Sequence, residues 1–236
     1  MKESRRTQHG RPTAELTQSS EDYLKAIYKL QTAGGVSTKD IASALGVAAA
    51  SVTNMVKRLA DMKLVEYRSY RGVRLTELGE KAALETIRHH RLLETYLREV
   101  MGYSWDQMHE EAELLEHHIS EAFEDKIDEM LGYPTHDPHG HPIPARDGSI
   151  RIETTTPLSE VATGRAVVIH HIEDTDPEIL DYLEQIGLLP RTFVTIEERA
   201  PFSGPITIRV ADRRELLGHR VAGGIFVVEQ KRGESA

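Results

Sequence analysis

From Ser20 onward, apolar side chains recur at helical spacing. Tyr23, Leu24, Ile27, Tyr28 and Leu30 share one face until Gly34-Gly35 stops the run, and Ser20 is the expected cap. Thr38 opens a short second helix carrying Ile41, Ala42 and Leu45, ended by Gly46. A third helix is expected from Ala49 to Met62, with Val52, Met55, Val56 and Leu59 on its inner face. Two short β-type runs follow, Leu64 to Tyr67 and Val73 to Leu75, with the basic turn Arg68 to Gly72 between them. Helix, helix-turn-helix and a two-stranded basic wing form the winged helix-turn-helix pattern, a DNA-binding arrangement.

The segment from Glu77 to Leu131 reads as almost wholly helical. One long helix carries Leu84, Ile87, Leu92, Leu93, Tyr96 and Leu97 to Val100. Gly102 breaks it, Ser104 caps the next helix, and Met108, Leu114, Leu115, Ile119, Phe123 and Ile127 continue the pattern. Leucine-rich helices this acidic bury one face against a partner, so a homodimer interface is expected here. Between Tyr133 and Gly148 stand Pro134, Pro138, Pro142 and Pro144, with His136, His139 and His141 among them. Proline forbids regular structure, and a solvated linker with at most weak metal affinity is the expectation. Beyond Ile150 the runs are short and β-type: Ala166–Ile172, Phe193–Glu197, Ile206–Val210 and Ile225–Glu229. A helix near Glu178–Gln185, ended by Gly187, interrupts them, and a small β-barrel of about 75 residues fits the spacing.

The expected fold class is therefore mainly α with a small β domain. The order is a flexible arm (1–18), a winged helix-turn-helix domain (19–78), a helical metal-binding and dimerisation domain (79–132), a Pro/His-rich linker (133–149) and a β domain (150–236). With 236 residues, 39% hydrophobic and 28% charged, the chain has enough apolar side chain to exclude disorder as its dominant state. No apolar run approaches the ~18 residues of a membrane span, and no apolar stretch follows the basic start, so a soluble cytoplasmic protein with no membrane partner is expected. The absence of cysteine excludes disulfides, thiolate zinc sites, iron–sulfur clusters and thiol nucleophiles. A metal must then be held by carboxylates, backbone, water or some of the 12 histidines.

The net charge of -9 conceals a division. Residues 1–78 hold 13 Lys/Arg against 8 Asp/Glu, whereas residues 79–130 hold 5 against 14. A basic module joined to an acidic one suits a polyanion and a cation as partners. On the third helix, Ala48, Ala49 and Ala50 permit close approach to base edges, and Ser51, Thr53 and Asn54 offer hydrogen bonds there. Lys57, Arg58, Arg68 and Arg71 are placed for phosphates.

In the acidic module, His109, Glu113, Glu116 and His117 fall within a wedge roughly 100° wide if they share a helix. Burying unpaired carboxylates costs several kcal/mol, roughly, and a divalent cation compensates for it. His90 and Glu94, one turn apart, offer a second pair, while His89 and His118 point about 100° away from their neighbours. The alternative is a metal-dependent hydrolase-type enzyme, but the known patterns fail. Leu114 and Ile87 stand three residues before His117 and His90, where a di-metal carboxylate enzyme has Glu. Glu113 stands where a zinc protease has its second His.

Several motifs, in order from Ser19 to Gln230, resemble the diphtheria toxin repressor family of metal-dependent transcriptional regulators. Ser20-Glu21-Asp22-Tyr23-Leu24-Lys25-Ala26-Ile27-Tyr28 resembles its first helix and Tyr70-Arg71-Gly72-Val73-Arg74-Leu75-Thr76 its wing. His90-Arg91-Leu92-Leu93-Glu94 is similar to its linking helix and the run His109 to His117 to its metal helix. Pro138-His139-Gly140-His141-Pro142-Ile143-Pro144 resembles the loop before its SH3-like C-terminal domain. The resemblance implies a homodimer that represses metal-uptake genes from an inverted-repeat operator in double-stranded DNA. It implies a primary metal site of Asp22, Glu113, Glu116 and His117. It also implies an ancillary site of His90, Glu94 and His109, completed from the C-terminal domain, with Asp176 the favoured residue. Asp22 and Glu113 stand where the iron type has Met and Cys, as in the manganese type, whereas Lys25 stands where the manganese type has a carboxylate. Carboxylates in place of sulfur favour harder ions, so Mn(II) is expected first and Fe(II) second, with Co(II), Zn(II) or Cd(II) as substitutes in vitro.

Overall fold

The computed structural model describes residues 16–31, 35–68, 71–173 and 176–229. Most of the expected N-terminal arm, Gly34, and the wing-tip residues Ser69 and Tyr70 lie outside the described residues. The chain divides into two compact units, Met1–Ala83 and Leu84–Ala236. The boundary falls inside a helix.

In the N-terminal unit, α1 (Gln18–Leu30) is capped by Thr17 rather than Ser20. The Ser20 hydroxyl instead meets that of Thr17 at 2.9 Å. Helices α2 (Thr38–Leu45) and α3 (Ala49–Asp61) follow, with Gly46 in the left-handed conformation between them. Leu24, Ile27, Ile41, Val52, Val56 and Leu59 form the core, as the helical spacing requires. Strands β1 (Val65–Arg68) and β2 (Gly72–Leu75) make an antiparallel wing in which Val65 faces Leu75 and Arg68 faces Gly72. Val36 adds a third rung through reciprocal amide–carbonyl bonds to Val73 of 2.8 and 2.9 Å. Gly72, at φ 77°, lies so close to the Val36 carbonyl that a Cβ would collide with it.

Helix α4 (Glu77–Glu99) begins in this unit and continues into the second. There α5 (Trp105–Leu115) and α6 (Glu121–Met130) follow. The single helical run expected after Ser104 is thus broken, because Ser120 accepts from the Phe123 amide and starts a new helix. Ser104 occupies the N-cap of α5 but makes no side-chain cap bond; the Trp105 amide donates to Glu184 at 3.4 Å.

Six antiparallel strands form one sheet in the order β3-β8-β4-β5-β6-β7. Their ranges are β3 (Thr156–Pro157), β4 (Ala166–Ile172), β5 (Phe193–Arg199), β6 (Ile206–Val210), β7 (Arg213–Leu217) and β8 (Ile225–Glu229). Helix α7 (Pro177–Gln185) lies between β4 and β5, and α8 (His219–Gly223) between β7 and β8. Strand β7 is absent from the sequence reading, since Arg213, Arg214 and Glu215 hide its alternation. Strand β4 carries a bulge between Ile169 and His171, opposite β8.

Two expectations about organisation are corrected. Residues 133–149 are not a solvated linker. Asp137 is 6% exposed, His139 0% and Ile143 9%, so the segment is a strap packed into the unit. Proline prevents a ladder but not burial, because the strap's carbonyls find side-chain donors: Arg91 reaches Pro142 at 2.5 Å and Arg88 reaches Pro144 at 2.8 Å. Nor is the β domain separate from the helices. Leu92, Leu93, Trp105 and Met108 share one buried cluster with Leu158, Ile169, Leu180 and Ile196.

Candidate metal centre and nucleic-acid interface

Every residue expected to face DNA on α3 is exposed: Ala48, Ala49, Ala50, Ser51, Thr53, Asn54, Lys57 and Arg58. The opposite face of α3 is buried, which fixes this orientation. The Thr53 hydroxyl donates to the Ala49 carbonyl at 3.0 Å, so it presents its methyl group and lone pairs outward. On the wing, Arg68 and Arg71 are exposed and line a hollow of about 160 Å³ with Arg74 and Glu66. Glu66 accepts from Arg68 at 3.1 Å, leaving a net positive rim.

In the C-terminal unit, α4 supplies His90 and Glu94 one turn apart, both buried. Across them α5 sets His109, whose Nδ1 lies 2.9 Å from Glu94 Oε1, with His90 Nε2 3.0 Å from the same oxygen. His90 Nδ1 lies 2.6 Å from Glu116 Oε2 and 3.8 Å from Glu113 Oε1. His117 Nε2 is 3.3 Å from Glu116 Oε1. The structure therefore joins the two expected ligand sets through the His90–Glu116 contact. Glu116 and His117 lie not on α5, as the wedge assumed, but at its C-cap and in the turn beyond. Asp22 is on α1, in the N-terminal unit.

Burial alone would raise the Glu94 carboxyl's pKa, but His90, His109 and His139 together hold it well below the usual carboxylate range. Glu94 Oε2 is buried with no hydrogen-bond partner. Such an orphaned oxygen beside imidazoles fits a cation. Donor separations of 2.6 to 3.0 Å match the roughly 3 Å expected between neighbouring ligands on bonds of roughly 2.1 Å. Oxygen and nitrogen donors without sulfur suit Mn(II), Fe(II), Co(II) and Zn(II). The residues present fit a divalent ion.

His139 is the ligand candidate that sequence reasoning passed over; its Nδ1 lies 3.7 Å from Glu94 Oε1. Asp137, His139 and His141 also bring one donor atom each within 4.8 Å of one another. The signal was a Pro-His-Gly-His run, discounted because its prolines suggested solvent. Asp176 does something else. Its carboxylate caps α7 through the Glu178 amide at 3.2 Å and pairs with Arg220 at 2.6 Å. No described contact brings it to Glu94. Its neighbours Asp174 and Thr175 lie outside the described residues.

His89, set aside on geometric grounds, turns out to be buried. It reaches the Glu116 carbonyl at 3.1 Å and Glu124 at 3.2 Å. Arg88 completes this network with Glu124 at 2.6 Å and Asp128 at 2.5 Å. The turn that carries Glu116 is thus braced from α4 and α6.

Comparison with known proteins finds three matches between residues 15 and 229. Residues 15–73 match the iron dependent repressor N-terminal DNA binding domain, and residues 76–145 its metal binding and dimerisation domain. Residues 156–229 match the FeoA domain. The iron-dependent repressor IdeR of Mycobacterium leprae is 30% identical over 227 residues, covering 90% of this chain and 98% of that one. The regulator MntR of Bacillus subtilis is 37% identical over 118 residues, covering 50% of this chain and 82% of its own. Among solved structures, a manganese-dependent transcriptional repressor in complex with manganese superposes with a TM-score of 0.84 at 37% identity, covering 89% of this chain and all of that one. The repressor ScaR with bound cadmium follows at 0.77 and 33%, covering 89% and 99%. By its matches to the family's DNA-binding domain and its metal-binding and dimerisation domain, the chain belongs to the iron-dependent repressor family of metal-dependent DNA-binding transcriptional regulators, the family of the diphtheria toxin repressor.

Proposed function

We propose that the protein senses Mn(II), with Fe(II) the second choice, and in the metal-replete cytoplasm represses metal-uptake genes as a homodimer on an inverted-repeat operator. The observation that carries this reading is the buried His90–Glu94–His109–Glu116 cluster, all nitrogen and oxygen, at ligand separations. The ancillary ligands are then His90, Glu94 and His109, with His139 from the strap. The primary ligands are then Asp22, Glu113, Glu116 and His117. A bound ion supplies the positive charge that lets these carboxylates and imidazoles share a small volume. The chain's own residues do the rest. His89 holds the Glu116 carbonyl, and the Arg88–Glu124 pair holds His89. Exposed Leu114, Phe123 and Met130 on α5 and α6 offer an apolar surface to a second copy. Family membership places the chain among repressors rather than with the hydrolase-type alternative.

The test is operator binding measured by fluorescence anisotropy with and without Mn(II). Metal and operator must raise each other's affinity by the same factor, because the coupling is reciprocal. The Asp22→Ala variant should fold and dimerise but gain no operator affinity from Mn(II). Undiminished stimulation of that variant would overturn the assignment of Asp22.

A further inference from the structure

Glu116 is gripped at two points by consecutive residues of α4. His90 Nδ1 lies 2.6 Å from its carboxylate, and His89 Nδ1 lies 3.1 Å from its main-chain carbonyl. Successive side chains on a helix point about 100° apart, which lets neighbours reach different ends of one residue. Glu116 is the C-cap of α5, where the last carbonyls of a helix need outside donors, and the last turn of α5 carries no basic residue to serve them. His89 supplies such a donor from α4. Because this bond is made to the main chain, it leaves the Glu116 carboxylate available to an ion.

His89 is itself held from behind. Its Nε2 lies 3.2 Å from Glu124 Oε2, and Glu124 Oε1 accepts from Arg88 Nε at 2.6 Å. Carbonyl and carboxylate oxygens only accept, so both His89 contacts are hydrogen bonds when the ring donates from both nitrogens. The guanidinium gives its other two nitrogens to Asp128 at 2.5 Å and to the Pro144 carbonyl of the strap at 2.8 Å. Two carboxylates against one guanidinium leave a negative charge, which a doubly donating His89 offsets. None of the four side chains belongs to an exposed residue; Arg88, His89, Glu124 and Asp128 are all buried. The main chain at Glu116 is thereby tied to α4, α6 and the strap.

Such bracing bears on which ion the centre prefers. Zn(II) is satisfied by four tetrahedral ligands, whereas Mn(II) suits an octahedral, oxygen-rich shell. Intrinsic affinity is lower for Mn(II) than for Zn(II), so a site that holds Mn(II) needs geometry in its favour. A loose Glu116 can close in on a small tetrahedral shell; a braced one resists it. Partners behind the ligands commonly change metal affinity by about 10–100-fold.

We propose that Arg88, His89 and Glu124 are positioning residues for the metal centre, which by fixing the main chain at Glu116 favour a six-coordinate ion such as Mn(II) over four-coordinate Zn(II). The proposal rests on the metal-sensing reading above, and the experiment separates the two.

Mn(II) and Zn(II) are the probes, each titrated alone into the full metal-free chain at neutral pH. Free Mn(II) is counted by its electron paramagnetic resonance signal, and Zn(II) affinity is read by competition with a chromophoric chelator. Compared are the parent, Glu124→Gln and Ile127→Val, which removes one buried methyl group from the same helix without touching the network. Glu124→Gln should lower Mn(II) affinity roughly tenfold more than Zn(II) affinity. Ile127→Val should leave the ratio of the two affinities at the parent value. If Glu124→Gln does not fold, His89→Gln carries the same expectation, since it keeps the Arg88–Glu124 pair. Equal losses for the two ions, or no loss for either, overturn the positioning role. So does a ratio that shifts as far in Ile127→Val, because general loosening of α6 then accounts for it. A parent that binds neither ion overturns the metal-sensing reading itself.

Discussion

Glu124 shows how much a single side chain can reveal about the turn that carries Glu116. Burial would raise its pKa, but hydrogen bonds from His89 and Arg88 bring it down to about 2, against an ordinary value of 4.5. A depressed carboxylate stabilises the fold fully above the unfolded value and loses that contribution as pH falls from about 4.5 towards 2. The 2.5-unit gap between those values corresponds to at most about 3 kcal/mol. Urea melts of the metal-free chain should therefore show Glu124→Gln as destabilised near neutrality, with the deficit shrinking at pH 3. A deficit independent of pH would mean that packing, not charge, explains it. At this scale the sequence was partly legible. One-turn spacing exposes His90 with Glu94 and His109 with Glu113, because a helix makes neighbours of such residues. It gave no view of His139 or His89, whose partners come from elements distant in sequence.

Among the elements, DNA recognition on the proposed reading divides between α3, for bases, and the wing, for phosphates. Arg71→Ala should weaken binding to all sequences alike and flatten the salt dependence, because a phosphate contact carries no sequence information. A loss confined to one base position would reassign it. Asn54→Ala should instead relax sequence preference, by about 1–3 kcal/mol at the position read. A selection over randomised operators distinguishes the two. The strap yields a third expectation. Gly140→Ala places a side chain at φ 90° and against the His170 carbonyl, and should destabilise the C-terminal unit by about 2 kcal/mol while weakening metal binding. Element boundaries were readable where a capping side chain or glycine marked them, as at Thr38 and Gly46. They were missed where apolar spacing ran on across a turn, as from Leu115 to Phe123.

For the whole molecule, the order of modules was legible because periodicity changes from helical to alternating near Ile150. The joining of the last two was not, since a shared core leaves no mark on either pattern taken alone. Trp105 and Met108 are 3% and 0% exposed within a cluster that includes Leu180 and Val194, on the far side of the strap in sequence. The regulator MntR aligns with only half of this chain, over 118 residues. In this chain the helices share their buried core with the β part. Cut after residue 149, it should not behave as a compact short repressor but should expose tryptophan and leucine surface and precipitate. On that expectation the C-terminal segment acts as a cover that keeps the apolar side of the helices in solution.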